Sequence, residues 1–484
     1  MKIYSATLHG VTPLKVEIEI DLSSGLPFFQ IVGLPDEVLR ESKTRVKSAI
    51  IQSEFDFPYD SRLVLNLSPS KVKKEGSAFE LALAARILIS SDQAQIDSTN
   101  LSVLFLGELA LDGTIRSVDD ILALSFAAGE KVDFLVVPFD DVAKVQAHVT
   151  CPVVGLKHLR ELKGDWLKTA LPTVKTCDDQ VLENKNEVLY QKLSLLKVSN
   201  FWARHLEIAA LGRHSYLLCG PPGTGKTFFA ESLKNLVSAL QGENDSQTKA
   251  LDAIFGRENG EVPWAAPHHS VTTAGLLGGG GYPKPGAITR AHGGVLFLDE
   301  LLEFSPAVLD SLREPLERKE VEIFRAGTMM TFPSDVQLIA ATNPCRCGYW
   351  GFKLRGCRCL PFHRKSYQAR MSGPFFDRFE ARIFCPAELV DESTVSGTQI
   401  LKNVRRALDL KLSLGLSAKM NSSPLISEDL KNSIARKVSS RRSLENCCKL
   451  AVTLSYLDGL SKPRLHHFEE ALKLQKIDEL DSLC

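Results

Sequence analysis

The stretch "YLLCGPPGTGKTFFAESL", Tyr216 to Leu233, is an apolar run, a glycine-rich turn and a helix-forming run in immediate succession. Gly220, Gly225, Lys226 and Thr227 satisfy G-x-x-x-x-G-K-[ST] after a strand and at the start of a helix, the context this motif requires. The loop Gly220-Pro221-Pro222-Gly223-Thr224-Gly225 turns backbone N–H groups toward phosphate at a helix N-terminus. Lys226 supplies a charge to the β/γ oxygens, and the Thr227 hydroxyl is placed to hold Mg²⁺. ATP and Mg²⁺ are therefore the expected cofactors, on a parallel α/β sheet.

Downstream, "GGVLFLDEL" (293–301) reads as a strand buried on both faces. It would carry Asp299 to the metal and Glu300 to the attacking water. A third apolar run, "VQLIAATN", ends in Asn343, which can position water beside the γ-phosphate or simply form a turn before Pro344. In "SGPFFDRFEARIF" (372–384), Arg378 has the planar charge that suits a phosphoryl transition state; it equally suits a surface ion pair.

Around this centre the 484 residues divide by pattern. Residues 1–170 alternate β-rich runs such as "RLVLNLSP" and "DFLVVPF" with helices such as "AFELALAARILIS", an α/β domain of their own. A polar, weakly periodic linker is placed at 171–194, the nucleotide-binding core at 195–390, and a helical domain at 391–484. Apolar content of 44% and charged content of 24% are ordinary for a globular protein. A formal net charge of zero means that any nucleic-acid binding must rest on a local basic surface. No stretch reads as a signal core or membrane span, and eleven mostly scattered cysteines suit a reducing compartment; the expected location is cytoplasmic.

Four of those cysteines fall in "NPCRCGYWGFKLRGCRC" (343–359). Cys345, Cys347, Cys357 and Cys359 form two C-x-C pairs that can close a tetrahedral zinc site, or remain free or redox-active thiols. From Pro344 to Phe376 the chain has no acid; Arg346, Lys353, Arg355, Arg358, Arg364, Lys365 and Arg370 alternate with Tyr349, Trp350, Phe352, Phe362 and Tyr367. Such a segment suits nucleic acid or an inter-subunit surface. The adjacent His268 and His269 are read as loop-positioning residues, since neighbouring side chains rarely face one metal. Two further segments are longer than a simple connection needs: "LLGGGGYPKPGAI", with Tyr282 and Lys284, and "RKEVEIFRAGTMMTFPSDVQ", two strand-like runs joined near Arg325.

With these residues placed, the chain resembles the YifB/ComM family of magnesium-chelatase-like AAA+ ATPases. The resemblance rests on "GLPFFQIVGLPDEVLRES", "KEGSAFELALA", "APHHSVTTAGLLGGGGYPKPGAITRAHGGVLFLDEL", "LREPLE", "NPCRCGYWG" and "SGPFFDRFE", and spans nearly the whole chain. It implies a hexameric ring with ATP between neighbours, Asn343 as sensor 1, and Arg378 as the finger reaching the next subunit's ATP. Arg441 of "SSRRS" is implied as sensor 2, with Arg442 able to take that role. It also implies a Lon-protease-like fold for the N-terminal domain, with Ser77 at the nucleophile position. The lysine position reads about Ser117, beside Arg116, and arginine is no base at neutral pH. Ser77 is accordingly expected to cap a helix, with ATP-gated proteolysis the weakest of three functional readings.

The resemblance implies an ATP-driven ring acting on DNA by branch migration during natural transformation. A chelatase-type ATPase that works on a protein partner is the alternative. Lys284 and Arg325 are the expected DNA contacts, by similarity to the pore hairpins of ring helicases such as the minichromosome maintenance type; both segments being surface hairpins is the other reading. The chain departs from the family at Ser199-Asn200, where Gly-Gln is expected on the adenine side, and at Ala265, where arginine is usual.

Overall fold

The computed structural model describes the chain except residues 34–35, 70–73, 75–76, 95–99, 172–178, 241–245, 258–261, 281–282, 326–327, 352–355, 371–372, 386–392, 416–425, 427, 439 and 476–484. Some helix and strand side chains, Arg325 among them, are likewise outside the description. Tyr282, Phe352, Lys353 and Arg355, singled out above, lie outside the described residues. The chain forms two units, Met1–Gln180 with Asn244–Asn259, and Val181–Glu243 with Gly260–Cys484.

The first unit is built on a seven-stranded sheet in the order Phe28–Val32, Ser61–Ser68, Thr12–Ser24, Lys2–His9, Ser102–Phe105, Phe134–Pro138, Val153–Leu156. Its hairpins are antiparallel and its later strands parallel. Alternation explains the burial: Leu63, Leu65 and Leu67 face the core, while the residues between them are half-buried or exposed. The helix Glu80–Ser90 is apolar nearly all round and is buried accordingly. Its one acid, Glu80, accepts from Ser42, Arg45 and the Leu109 N–H, so the carboxylate is not left unpaired. The helix Ser246–Ile254 packs on the strand Thr12–Ser24 and the helix Ile121–Ser125 of this unit, although in sequence it interrupts the second.

Ser77 does not cap a helix. The helix begins at Glu80 with Phe79 at its cap position, and the Ser77 hydroxyl donates instead to the Glu108 carboxylate. The capping expectation fails because a nearby acid competes for the hydroxyl.

The second unit contains a five-stranded parallel sheet in the order Trp264–Ala265, Val295–Leu298, Gln337–Thr342, Tyr216–Cys219, Ala381–Phe384. The three inner strands are buried at every residue, as continuous apolar runs covered on both faces must be. A helix, Asp179–Leu195, runs through the stretch read as a linker. The chain then pairs Lys197–Ser199 antiparallel with Thr394–Ser396 before the helix Asn200–Gly212, which Ser199 caps.

The helices Gly397–Ser413, Glu428–Ala435, Arg441–Leu457 and Leu465–Gln475 follow, and share one apolar core with the sheet. Arg204 holds Asp458 and Glu470 at 3.1 Å, joining the first helix of the sheet layer to the helical region. No described helix is long and apolar enough to cross a membrane.

Candidate nucleotide site and its flanking elements

The sheet delivers its chemistry to one edge. Because the strands are parallel, the phosphate loop after Cys219, Asp299 after Leu298 and Asn343 after Thr342 all emerge at carboxyl ends. Gly223 and Gly225 have φ of 82° and 87°, left-handed values that a side chain would strain, and they allow the loop to turn into the helix Lys226–Leu240. Lys226 donates to the carbonyls of Gly220 (2.7 Å) and Pro221 (2.8 Å), and to Asn343 Oδ1 at 3.3 Å. Burial lowers its pKa, an effect that the nearby anionic groups oppose. The Thr227 hydroxyl lies 3.2 Å from Asp299 Oδ2. A hydroxyl and a carboxylate at that separation are hard oxygen donors that fit a shared Mg²⁺, which on binding would neutralise phosphate charge.

Glu300 follows Asp299 in a left-handed conformation, φ 52°, with its N–H donated back to Asp299 Oδ1 at 2.9 Å. This turns its carboxylate out of the strand direction. His269 Nδ1 lies 3.3 Å from Glu300 Oε2, and its ring meets Phe304 edge-on. The paired histidines thus serve the acid next to the nucleotide rather than a metal of their own; His268 bonds Ser270 at 2.8 Å. Sequence reasoning placed His269 in a loop but missed its partner, because the two are joined only by folding.

The cysteine segment sits on the same edge. All four sulfurs lie within 4.8 Å of one another, with Cys345 3.3 Å from Cys347 and 3.6 Å from Cys357. Zn–S bonds of about 2.3 Å set tetrahedral sulfurs about 3.8 Å apart, so the set fits that ion. Burial and donation to Cys347 push the Cys345 thiol up to about 12. Burial would raise Cys347 too, but the N–H groups of Tyr349 and Arg358 bring it down to about 6. Gly348, φ 83°, packs against Pro222 so closely that a Cβ would lie 2.7 Å from its ring. Gln368 donates to the Pro344 carbonyl at 3.1 Å, and Arg364 stacks on Trp350. The cysteine knot therefore touches the phosphate loop directly. Arg346, Arg358, Lys365 and Phe362 of this segment are exposed.

Arg378 is elsewhere. It precedes the strand Ala381–Phe384, whose amino end is held by Ser215, so it lies at the edge opposite the phosphate loop, across about 13 Å of strand. Its Nη2 contacts Glu317 Oε2 at 2.6 Å and the Arg313 carbonyl at 3.3 Å. Arg442 reaches the same carboxylate at 3.2 Å, while Arg441 is 93% exposed and paired with Glu445. The structure brings Lys226, Thr227, Asp299, Glu300 and Asn343 together; Arg378 and Arg442 form a separate cluster.

The two long insertions meet each other. Lys284, exposed, lies on a short ladder of Gly278–Gly279 with Lys284–Pro285. Gly278 abuts Ile323 of the hairpin Glu320–Arg325/Thr328–Pro333, in which Arg325 pairs with Thr328 at the tip. Phe324 (71% exposed) and Met329 lie opposite each other beside that tip. Asn200, at the departure from Gly-Gln, hydrogen-bonds Ser393.

Comparison with known proteins matches residues 194–393 to the family model "Magnesium chelatase, subunit ChlI" and residues 18–141 to "Subunit ChlI of Mg-chelatase". The chain is 31% identical to YifB of Escherichia coli K12 over 99% of this chain and 97% of that protein. It is 36% identical to the competence protein ComM of Haemophilus influenzae, over 79% of this chain and 76% of ComM. YifB of Salmonella typhimurium is 34% identical over 79% of this chain and 75% of its own length.

Proposed function

Because the chain belongs to the YifB/ComM family of magnesium-chelatase-like AAA+ ATPases, we propose that it is an ATP-driven hexameric motor that acts on DNA. Its work would be branch migration or unwinding during recombination of incoming DNA, in keeping with the similarity to a competence protein. The observation that carries this reading is the division of the site between two edges of one sheet. Lys226, Thr227, Asp299, Glu300 and Asn343 stand at the carboxyl edge, and Arg378 at the amino edge. An arginine that cannot reach its own nucleotide suits a ring, where one copy's amino edge faces the next copy's phosphates.

Lys226 would exchange its carbonyl partners for phosphate oxygens, and Asn343 beside it would orient water. Thr227 and Asp299 would hold Mg²⁺, and Glu300, steadied by His269, would accept the water's proton. Cys345, Cys347, Cys357 and Cys359 would bind one structural zinc. The domain plan of 1–170, a linker, a core at 195–390 and a helical lid from 391, with a Lon-like but non-proteolytic first domain, belongs to this reading. The Ser77 hydroxyl facing a carboxylate supports the non-proteolytic assignment.

Exposed Lys284 and the adjoining Phe324–Met329 hairpin tip support a DNA-gripping face. Lys284→Ala and Arg325→Ala should keep basal ATPase yet lose its stimulation by DNA and the movement of a four-way junction. Wild-type DNA affinity should fall steeply with salt as phosphate contacts release counterions. ATPase indifferent to any DNA would instead favour a chelatase-type ATPase acting on a protein partner, the reading that the family's chelatase-subunit model supports.

A further inference from the structure

Arg378 and Arg442 converge on one carboxylate. Glu317 accepts from Arg378 through Oε2 at 2.6 Å and from Arg442 through Oε1 at 3.2 Å, one oxygen for each guanidinium. The other acids around this edge are already engaged: Glu314 with Arg318, Asp377 with Arg382, and Glu380 with His214 and Lys449.

The Arg378 side chain is only 10% exposed, yet its Nε and Nη1 are buried with no hydrogen-bond partner among the described residues. Two cavities, of about 410 and 470 Å³, meet at this arginine. The larger also takes in Arg213, Lys319, Arg442 and Lys449. A buried guanidinium with idle donors beside a cation-lined cavity is built to receive more negative charge than one carboxylate brings. Glu317 is 58% exposed on the short helix Arg313–Arg318, so it can return to water at little cost while Arg378 stays fixed by packing and the Arg313 carbonyl.

We propose that Arg378 and Arg442 together form a two-arginine polyphosphate site for the terminal phosphates of a nucleotide bound by a second copy of this chain. Glu317 is its internal occupant, displaced when that copy docks. The proposal rests on the reading of Arg378 as a finger acting between subunits, and it makes Arg442 the partner arginine. A phosphoryl group offers three oxygens and more charge than a carboxylate, so it satisfies both arginines, including the donors that Glu317 leaves idle. Until docking, the same carboxylate keeps two buried or half-buried positive charges compensated.

The test is Glu317→Gln, which keeps the shape and removes the charge. ATPase is titrated against protein concentration, and ATP-dependent self-association is followed by sedimentation in the slowly hydrolysing Glu300→Gln background. With the competing carboxylate neutralised, both midpoints should fall several-fold, and Arg442→Ala should raise them. Unchanged or raised midpoints for Glu317→Gln, or activity lost at every concentration, would make Glu317 a support for the finger and overturn the proposal. The underlying finger reading is checked separately by mixing inactive Arg378→Ala with inactive Glu300→Gln. Recovered turnover in the mixture upholds a finger acting between subunits whatever Glu317 does. An active Arg378→Ala, or no recovery, removes the basis of both.

Discussion

Lys226 and Glu300 act at different moments of one reaction, and substitutions should separate them. Lys226→Ala removes a charge aimed at phosphate, so ATP binding itself should be lost in a fluorescent-nucleotide titration. Glu300→Gln leaves binding intact and removes the proton acceptor; turnover should fall by about 10²–10⁴-fold while the dissociation constant for ATP hardly moves. Gly348 is a second residue whose role is geometric. Its φ of 83° and its approach to Pro222 exclude a side chain, so Gly348→Ala must push the phosphate loop or the cysteine knot aside. The left-handed penalty alone is about 1–2 kcal/mol. The expected result is a KM for ATP raised several-fold with zinc content unchanged; an unaltered KM would show that the two loops are not coupled.

At the scale of elements, the knot from Cys345 to Cys359 joins the strand carrying Asn343 to the phosphate loop through Gly348 and to the helix Pro361–Gln368 through Pro344. A segment this polar cannot fix its own path by burial, and a metal supplies the missing order. Protein purified without chelator should hold about one zinc per chain, and Cys357→Ser should lose it. Structural zinc contributes on the order of 10 kcal/mol to local folding, so the variant should show faster amide exchange around 345–368 and weaker ATPase. Metal analysis without zinc, in protein of full activity, would end this idea. The cysteine spacing was legible in the sequence. Its contact with Pro222 was not, because more than a hundred residues separate them and only the parallel register brings them together.

For the molecule as a whole, Glu380 ties the sheet to the helix Arg441–Leu457. It accepts from Lys449 at 3.1 Å and pairs with His214 at 2.7 Å, whose other nitrogen reaches Thr453. Burial would raise its carboxyl, but His214 and Lys449 outweigh that and hold it down to about 2 from an ordinary 4.5. A depressed folded-state pKa stabilises the fold above the unfolded value, and that stabilisation drains away as pH falls from about 4.5 toward 2. Glu380→Gln should therefore destabilise the protein at pH 7, by about 3 kcal/mol for a broken buried pair. The difference from wild type in chemical denaturation should shrink as the pH is lowered through 4. A difference constant with pH would mean that shape, not charge, joins these layers.

The sequence alone determined the parallel sheet, the phosphate loop, Asp299 with Glu300, and the helical end of the chain. Each depends on near neighbours: a glycine turn between a strand and a helix, or an apolar run closed by two acids, carries its own geometry. The placement of the helix Ser246–Ile254 in the first unit, the Ser77 hydroxyl on Glu108, and His269 on Glu300 were decided only by tertiary structure. So was the sharing of Glu317 by Arg378 and Arg442, where the sequence pattern had favoured Arg441. Adjacent arginines on a helix point about 100° apart. Which of them faces the sheet edge is set by how the helix packs, and no local pattern encodes that rotation.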